Sequence, residues 1–356
     1  MSNPIHERPG VYSSYDASSA VSYGVTAKTI GVAAQAARGT NNTAVTLTGY
    51  SQGVAAFGED APDHSGMSSL LKLLFANGAV AIVAVKAADT GTEADYAAAF
   101  DVLSRQDAVQ ILVCDSAEVS VQQALRTAVE TASQNRRERI AVVGGSGETV
   151  SQLIDHAAAL DSERMVLIGP DPLDSSGMVL PSVCAAAAVA GAIAAGSDPA
   201  VPLNGVELYG LSGLSEQYGD GDIDLLVRGG VLPLESAAGT ISPVRGITTR
   251  TTTGGTPDTT WRELTTILIV DSVIPAIRSS LRSKFTRSKN TAQTRSSIRS
   301  QVIVELEKKV KAEIIDSYGD VTVAASADDP TVCEVEFNFA VAHGMNQIYL
   351  TAHITV

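Results

Sequence analysis

RIAVVGGSGETVSQLIDHAAALDSERMVLI, Arg139–Ile168, decides the reading of the fold. RIAVV and MVLI are short, apolar and rich in β-branched residues, without the polar alternation of a half-exposed strand. Each therefore reads as a strand buried on both faces. The intervening Glu148 to Leu160 carries apolar residues at helical spacing. A strand, a helix and a second strand within thirty residues imply a parallel pair joined by a right-handed crossover.

The same unit repeats outward. AVAIVA (Ala79–Ala84) and VQILV (Val109–Val113) are two more strand runs, and Ser68–Ala76, Glu93–Ser104, Val119–Asn135 and Pro181–Ala195 read as helices. The last is Ala-rich, with a proline at its first turn. The fold class expected is α/β, a parallel sheet covered on both faces. Before it, residues 26 to 60 alternate short β-prone pieces, Thr29–Ala33, Ala44–Thr48 and Ala55–Phe57, with Gly and Asn turns. The first 25 residues hold Pro4 and Pro9 and no periodicity, which reads as an arm outside the core.

After residue 196 the rhythm breaks into Pro, Gly and Thr-rich sequence up to about residue 260. Trp261–Asp271 and Ile274–Phe285 read as two helices hinged near Pro275. Gln293–Ile315 reads as a long amphipathic helix with Ile298, Val302, Leu306, Val310 and Ile314 every fourth residue. The end reads as a hairpin: CEVEFNFAV (Cys333–Val341) alternates, HGMN turns, and QIYLTAHITV (Gln347–Val356) alternates again. That makes the chain α+β overall.

The 356 residues suffice for one large or two to three modest domains. Cys114, Cys184 and Cys333 are far apart in apolar surroundings, the pattern of buried thiols rather than of disulfides or zinc. No apolar run approaches the ~20 residues of a membrane span, and MSNPIHERPGVY lacks the pattern of a signal peptide. Folding in the cytosol is the expectation. The net charge of −14 is unevenly spread. Pro275–Ala312 holds ten Lys or Arg against Glu305 and Glu307, a local +8 that leaves −22 elsewhere. Such polarity suits nose-to-tail pairing with further copies or with an acidic partner; a solvated basic helix face has the same composition.

Catalytic chemistry finds no complete set of groups. GGSGE (Gly144–Glu148) sits where a dinucleotide loop would, but Val150 occupies the position of the third glycine and no Lys follows for a P-loop. Of His6, His64, His156, His343 and His353, only His64 has acids and a Ser close by in sequence, and no G-x-S-x-G elbow is present. Asp115 and Ser116 end a strand, a usual active-site position, but they are also ordinary N-cap residues. The carboxylates show no metal-ligand spacing. No cofactor, no metal and no catalytic residue is expected. Nucleic-acid binding is opposed by a pI near 4.8 and by the lack of aromatic residues within the basic segment.

The chain ends are the remaining signal. An extended arm and a strand at the end of the sequence are available to pair outside the subunit by strand augmentation. The alternative is a disordered arm and an ordinary hairpin. A head-to-tail contact that does not close generates a helical filament.

Several segments, in order, resemble the contractile phage tail sheath family. They are PGVY (Pro9–Tyr12), AGAIAAGSDPAVPLNGVELYGL (Ala190–Leu211), VRGGVLPLE (Val227–Glu235) and WRELTTILIVDSVIPAIRSSLRSKFTRSKNTAQTRSSIRSQVIVELEKK (Trp261–Lys309). The length is similar to the short sheaths of Gram-positive phage-like particles and diffocin-type R-type bacteriocins. The resemblance implies a subtilisin-like α/β domain without protease residues, a C-terminal α+β sheath domain facing an inner tube, and terminal arms woven between neighbours. The domains expected are an arm over 1–25, an outer α/β domain over 26–225, an inner sheath domain over 226–345 and a C-terminal strand over 346–356. The arm contacts expected are Pro9, Gly10, Val11 and Tyr12, with Gln347, Ile348, Tyr349, Leu350, Thr351, Ile354 and Val356. Arg278, Arg282, Lys284, Arg287 and Lys289 are expected at the tube or at a neighbour's acidic face. The partners implied are further copies in a helical polymer, the inner tail tube protein, and baseplate and tail-terminator proteins, with no nucleic acid and no membrane insertion. Assembly in the host cytoplasm into a phage tail or released bacteriocin particle, and contraction that drives the tube through a target envelope, complete the expectation. An orphan α/β enzyme or another self-assembling lattice protein is the alternative.

Overall fold

The computed structural model describes residues 28–60 and 66–353. In chain order the elements are β1 (Thr29–Ala34), β2 (Ala44–Leu47), α1 (Tyr50–Phe57), α2 (Met67–Ala76), β3 (Ile82–Lys86), α3 (Glu93–Ser104), β4 (Val109–Cys114), α4 (Val119–Gln134), β5 (Ile140–Gly144), α5 (Val150–Leu160) and β6 (Met165–Gly169). There follow β7 (Pro172–Leu173), α6 (Ser182–Ala195), β8 (Gly213–Leu214), α7 (Asp220–Arg228), β9 (Val231–Ala237), β10 (Thr240–Pro243), β11 (Thr252–Thr253) and β12 (Thr256–Pro257). The last elements are α8 (Leu264–Phe285), α9 (Ala292–Val310), β13 (Ile315–Tyr318), β14 (Thr322–Ala325), β15 (Cys333–Glu336) and β16 (Phe339–Val341).

The fold is mixed α/β around an eight-stranded sheet ordered β10-β9-β6-β5-β4-β1-β3-β2. The six inner strands are parallel, and β2 and β10 run antiparallel at the two edges. Alternate residues divide between the faces, as a two-residue period requires. Ile30, Val32, Ile82 and Ala84 point to the layer of α2 and α6. Ala33, Val83 and Val85 point to the layer of α3, α4 and α5. Burying each of these Ile and Val side chains contributes about 1.5–3 kcal/mol.

Local signals fix the ends of the helices. At α3, Thr92 Oγ1 accepts from the Asp95 amide while Asp95 returns a carboxylate oxygen to the Thr92 amide at 2.9 Å, a reciprocal cap. Small residues let α6 lie between α2 and the sheet. A Cβ on Gly144 would fall 2.3 Å from the Ser182 backbone, and one on Gly191 would fall 2.8 Å from the Leu74 carbonyl.

Four sequence expectations are corrected. Ala55–Phe57 belongs to helix α1, whose Phe57 is buried. The strand expected at 79–84 lies at Ile82–Lys86, because the run continues through VKA and its lysine, though buried, reaches Asp89 at 2.8 Å. The two helices expected around Pro275 are one continuous helix. Its proline interrupts a backbone bond at a cost of about 3 kcal/mol, and both flanking turns are held by packing and by ion pairs. The boundary expected at residue 226 falls inside the α/β layer, since β9 and β10 extend the sheet to Pro243.

Helix α8 is long and apolar enough to cross a membrane by composition, yet half of that stretch is buried in the fold. It lies across the N-terminal ends of β5 and β6. Arg164, just before β6, holds Asp271 through two contacts of 2.7 and 3.0 Å. Glu138, just before β5, accepts from both terminal nitrogens of Arg278. Asp271 and Arg278 are two turns apart and so share one helix face.

Candidate subunit-contact site

The C-terminal hairpin expected from sequence is not formed. Cys333–Val341 instead pairs backwards: β15 with β14, and β16 with β13. Between the two ladders the Gly319 amide donates to the Asn338 carbonyl at 2.9 Å, so residues 315–325 and 333–341 make one long, bent antiparallel ribbon. Its tip is closed by Ser326 N–H on the Val332 carbonyl at 3.1 Å. Asp329 also accepts from both the amide and the hydroxyl of Thr331 at 2.7 Å, an Asx turn. Helix α9 packs on the ribbon, and Arg299 donates to the Val321 carbonyl at 2.7 Å. Sequence reading missed β13 and β14 because their four-residue runs follow directly on a strongly periodic helix. IDSY and TVAA are too short to register a period of two.

Beyond the ribbon the chain passes Pro202 at Gly344, and Asn346 accepts a hydrogen bond from Asn204 at 2.9 Å. The expected arm residues Gln347, Ile348, Tyr349, Leu350 and Thr351 then form no strand and are exposed. Ile348, Tyr349 and Leu350 are 80%, 87% and 92% exposed, values that set them apart from every buried aliphatic of the core. Pro9, Gly10, Val11, Tyr12, Ile354 and Val356 lie outside the described residues.

The basic residues divide. Arg282, Arg287 and Lys289 are exposed at the α8–α9 turn, and Lys284 is exposed while donating to Gln301 at 2.5 Å. Arg278 differs: its side chain is 12% exposed and engages Glu138, itself 5% exposed. It is therefore an internal pairing residue rather than part of an outward basic face. Asn290, which sequence reading did not single out, ties the basic turn to the ribbon tip through the carbonyls of Pro330 (2.8 Å) and Val332 (3.1 Å).

At the C-terminal ends of the parallel strands, where α/β proteins place ligands, several polar groups are taken up by one another, while the buried Tyr218 hydroxyl near Gly169 has no hydrogen-bond partner among the described residues. Asp115 accepts from the Gln35 amide at 2.8 Å and the Tyr96 hydroxyl at 2.5 Å, and burial pushes its carboxyl up to about 6. Asp171 accepts from the amides of Gly147 (2.7 Å) and Ser182 (3.0 Å) and from the Ser182 hydroxyl (2.5 Å). The Gly147 amide, which a phosphate would need, thus already faces a carboxylate. Glu148 folds back beside Gly145 and contacts His156 at 3.0 Å. His156 also reaches Gln122 at 2.9 Å, whose amide group donates to the Gly144 carbonyl. Among the described residues no group of three His, Cys, Asp or Glu is placed to hold a metal ion.

Two family models match this chain: the phage tail sheath protein central domain over residues 89–249 and the phage tail sheath C-terminal domain over residues 256–355. The chain belongs to the phage tail sheath family. The tail sheath protein of Bacillus phage SP01 is 31% identical over 268 residues, 74% of this chain and 46% of that protein. The chain thus spans less than half the length of that sheath relative. The crystal structure of the sheath tail protein from Desulfitobacterium hafniense has a TM-score of 0.73 at 11% identity, covering 99% of this chain and 100% of that one. The helical sheath of the anti-feeding prophage in its contracted state has a TM-score of 0.72 at 16% identity, covering 98% and 99%. These sheath structures share the fold of this chain.

Proposed function

We propose that this protein is a structural sheath subunit that polymerises helically around an inner tail tube and contracts to drive the tube through a target envelope. The observation that carries the reading is an open two-stranded ribbon beside an extended, apolar, unpaired segment. The ribbon packs on α9 but leaves its strand edges without a further partner among the described residues, and residues 347–353 expose the alternating side chains of a strand without forming one. Each can take a further strand, and copies of one chain supply both. Four to six backbone hydrogen bonds at about 1 kcal/mol each would tether neighbours by several kcal/mol, while the bodies stay free to rotate between two packings.

The N-terminal residues Pro9–Tyr12 are proposed to pair in the same way. Arg282, Lys284, Arg287 and Lys289 are proposed to meet the tube or an acidic face of a neighbour, through exposed pairs of ~0.2–1 kcal/mol each that break on contraction. The inner tube, baseplate and tail-terminator proteins are the proposed partners. Host cytoplasm is the proposed place of assembly, into a phage tail or a released bacteriocin particle. No enzymatic step is needed, because the contracted packing is proposed to be the lower in free energy. The test is negative-stain imaging of purified protein with and without residues 347–356. Hollow ridged cylinders from the full chain and none from the truncated one are expected. Flat lattices, or cylinders from both, would overturn the reading.

A further inference from the structure

Both described ends of the chain leave the body from one short loop. Lys28 donates from Nζ to the carbonyls of Ile193 (3.0 Å) and Gly196 (3.2 Å), at the C-terminal end of α6. The helix dipole favours a cation there; burial lowers the Lys28 pKa, and the Asp198 carboxylate opposes that shift by attraction. At the other end, Gly344 passes so close that a Cβ on it would lie 2.8 Å from the Pro202 ring. Two residues on, Asn346 is held by Asn204 at 2.9 Å. Gly196 and Asn204 are eight residues apart, a span of at most ~29 Å even when fully extended.

This loop is fastened to the sheet rather than hanging from it. The Gly205 amide donates to the Pro243 carbonyl at 3.0 Å, and the Leu208 amide to the Ile241 carbonyl at 2.9 Å, so the chain runs along edge strand β10. Just beyond, Asn77 clamps Tyr209 through both of its backbone groups at 2.9 Å each. Two backbone bonds to this edge strand and the Asn77 clamp tie the loop to the body, which sets it apart from a free surface loop.

We propose that Gly196–Gly205 is a shared bracket that fixes the departure points of both terminal segments, with Lys28, Asn204 and Asn346 as positioning residues. The proposal rests on the reading that these segments link neighbouring subunits. Load arriving through one link then passes to the other through the C-terminal end of α6, the bracket and β10. The separation of the two links stays constant while the subunit body changes its packing. This accounts for SDPAVPLNG, a segment that the resemblance singled out.

The test measures the separation of the two roots in the monomer and assembly alongside it. Spin labels are placed at Ala27 and Gln347, beside the two anchoring residues, with Cys333→Ser to remove the partly exposed thiol. A single narrow distance distribution is expected. In Lys28→Met combined with Asn204→Ala the distribution should broaden at least twofold, with at least tenfold less protein recovered in sheaths. Asn346→Ala, which lies in an exposed segment clear of the core, should act in the same direction with an unchanged melting temperature. An unchanged distribution in these variants overturns the bracket. Absence of sheaths from the unaltered chain would instead overturn the proposed function, and the monomer distances would still judge the bracket.

Discussion

Asp271 illustrates what one side chain contributes. It is the counter-ion of Arg164, whose side chain is 2% exposed and which also donates to the Arg139 carbonyl. Removing one member of a buried pair strands the other charge, at about 3–5 kcal/mol. Asp271→Ala is therefore expected to lower unfolding free energy by that order in urea titration. Asp271→Ala combined with Arg164→Met is expected to recover much of the loss. Asp115 supplies a pH signature. Its carboxyl is pushed up to about 6 by burial, against an unfolded value near 4. The folded state thus binds this proton more tightly. Below pH 4 the group is neutral in both states and costs nothing. As pH rises from 4 to 6 the folded state loses stability from it, by about 3 kcal/mol at 1.36 kcal/mol per unit, and the loss is constant above. Denaturation of the unaltered protein and of Asp115→Asn across that range is expected to show the asparagine variant gaining on the parent between pH 4 and 6, then running parallel. A constant difference would refute the assignment.

At the scale of elements, the decisive parts are α8 with its basic turn and the bent ribbon beside it. Reversing charge at Arg282 and Lys284 is expected to leave the melting temperature within a degree or two, since exposed charges contribute little to folding. The same change is expected to reduce assembly on tubes and flatten its salt dependence; assembly curves that superimpose with the parent at low and high salt would remove this turn from the interface. Arg278→Glu is expected to behave otherwise, destabilising the monomer by facing Glu138 with a like charge. The element pattern was largely legible in sequence wherever the period was long. Helix α3 runs from Glu93 to Ser104, the residues expected from sequence, and β4, β5 and β6 fall on the apolar runs. The ribbon was not legible. Alternation in CEVEFNFAV marks a strand and its faces, but a strand's partner is set by what lies opposite, here residues 315–325.

For the whole molecule, the chain ends are where folding and assembly separate. Deleting residues 1–15 is expected to leave a soluble monomer with an unaltered unfolding transition that forms no sheaths. Normal cylinders from that protein would sink the idea that the N-terminal segment links subunits. The amino-acid sequence by itself determined the α/β class, the helical layers and the concentration of positive charge near the end of the chain, because each follows from local periodicity and composition. Only the tertiary structure decided that Pro275 sits in an unbroken helix, that Arg278 turns inward to Glu138, and that Cys333–Val341 folds back on 315–325 while Gln347–Thr351 stays unpaired. Those outcomes depend on which distant groups arrive within bonding distance of one another, a property that no local pattern along the chain encodes.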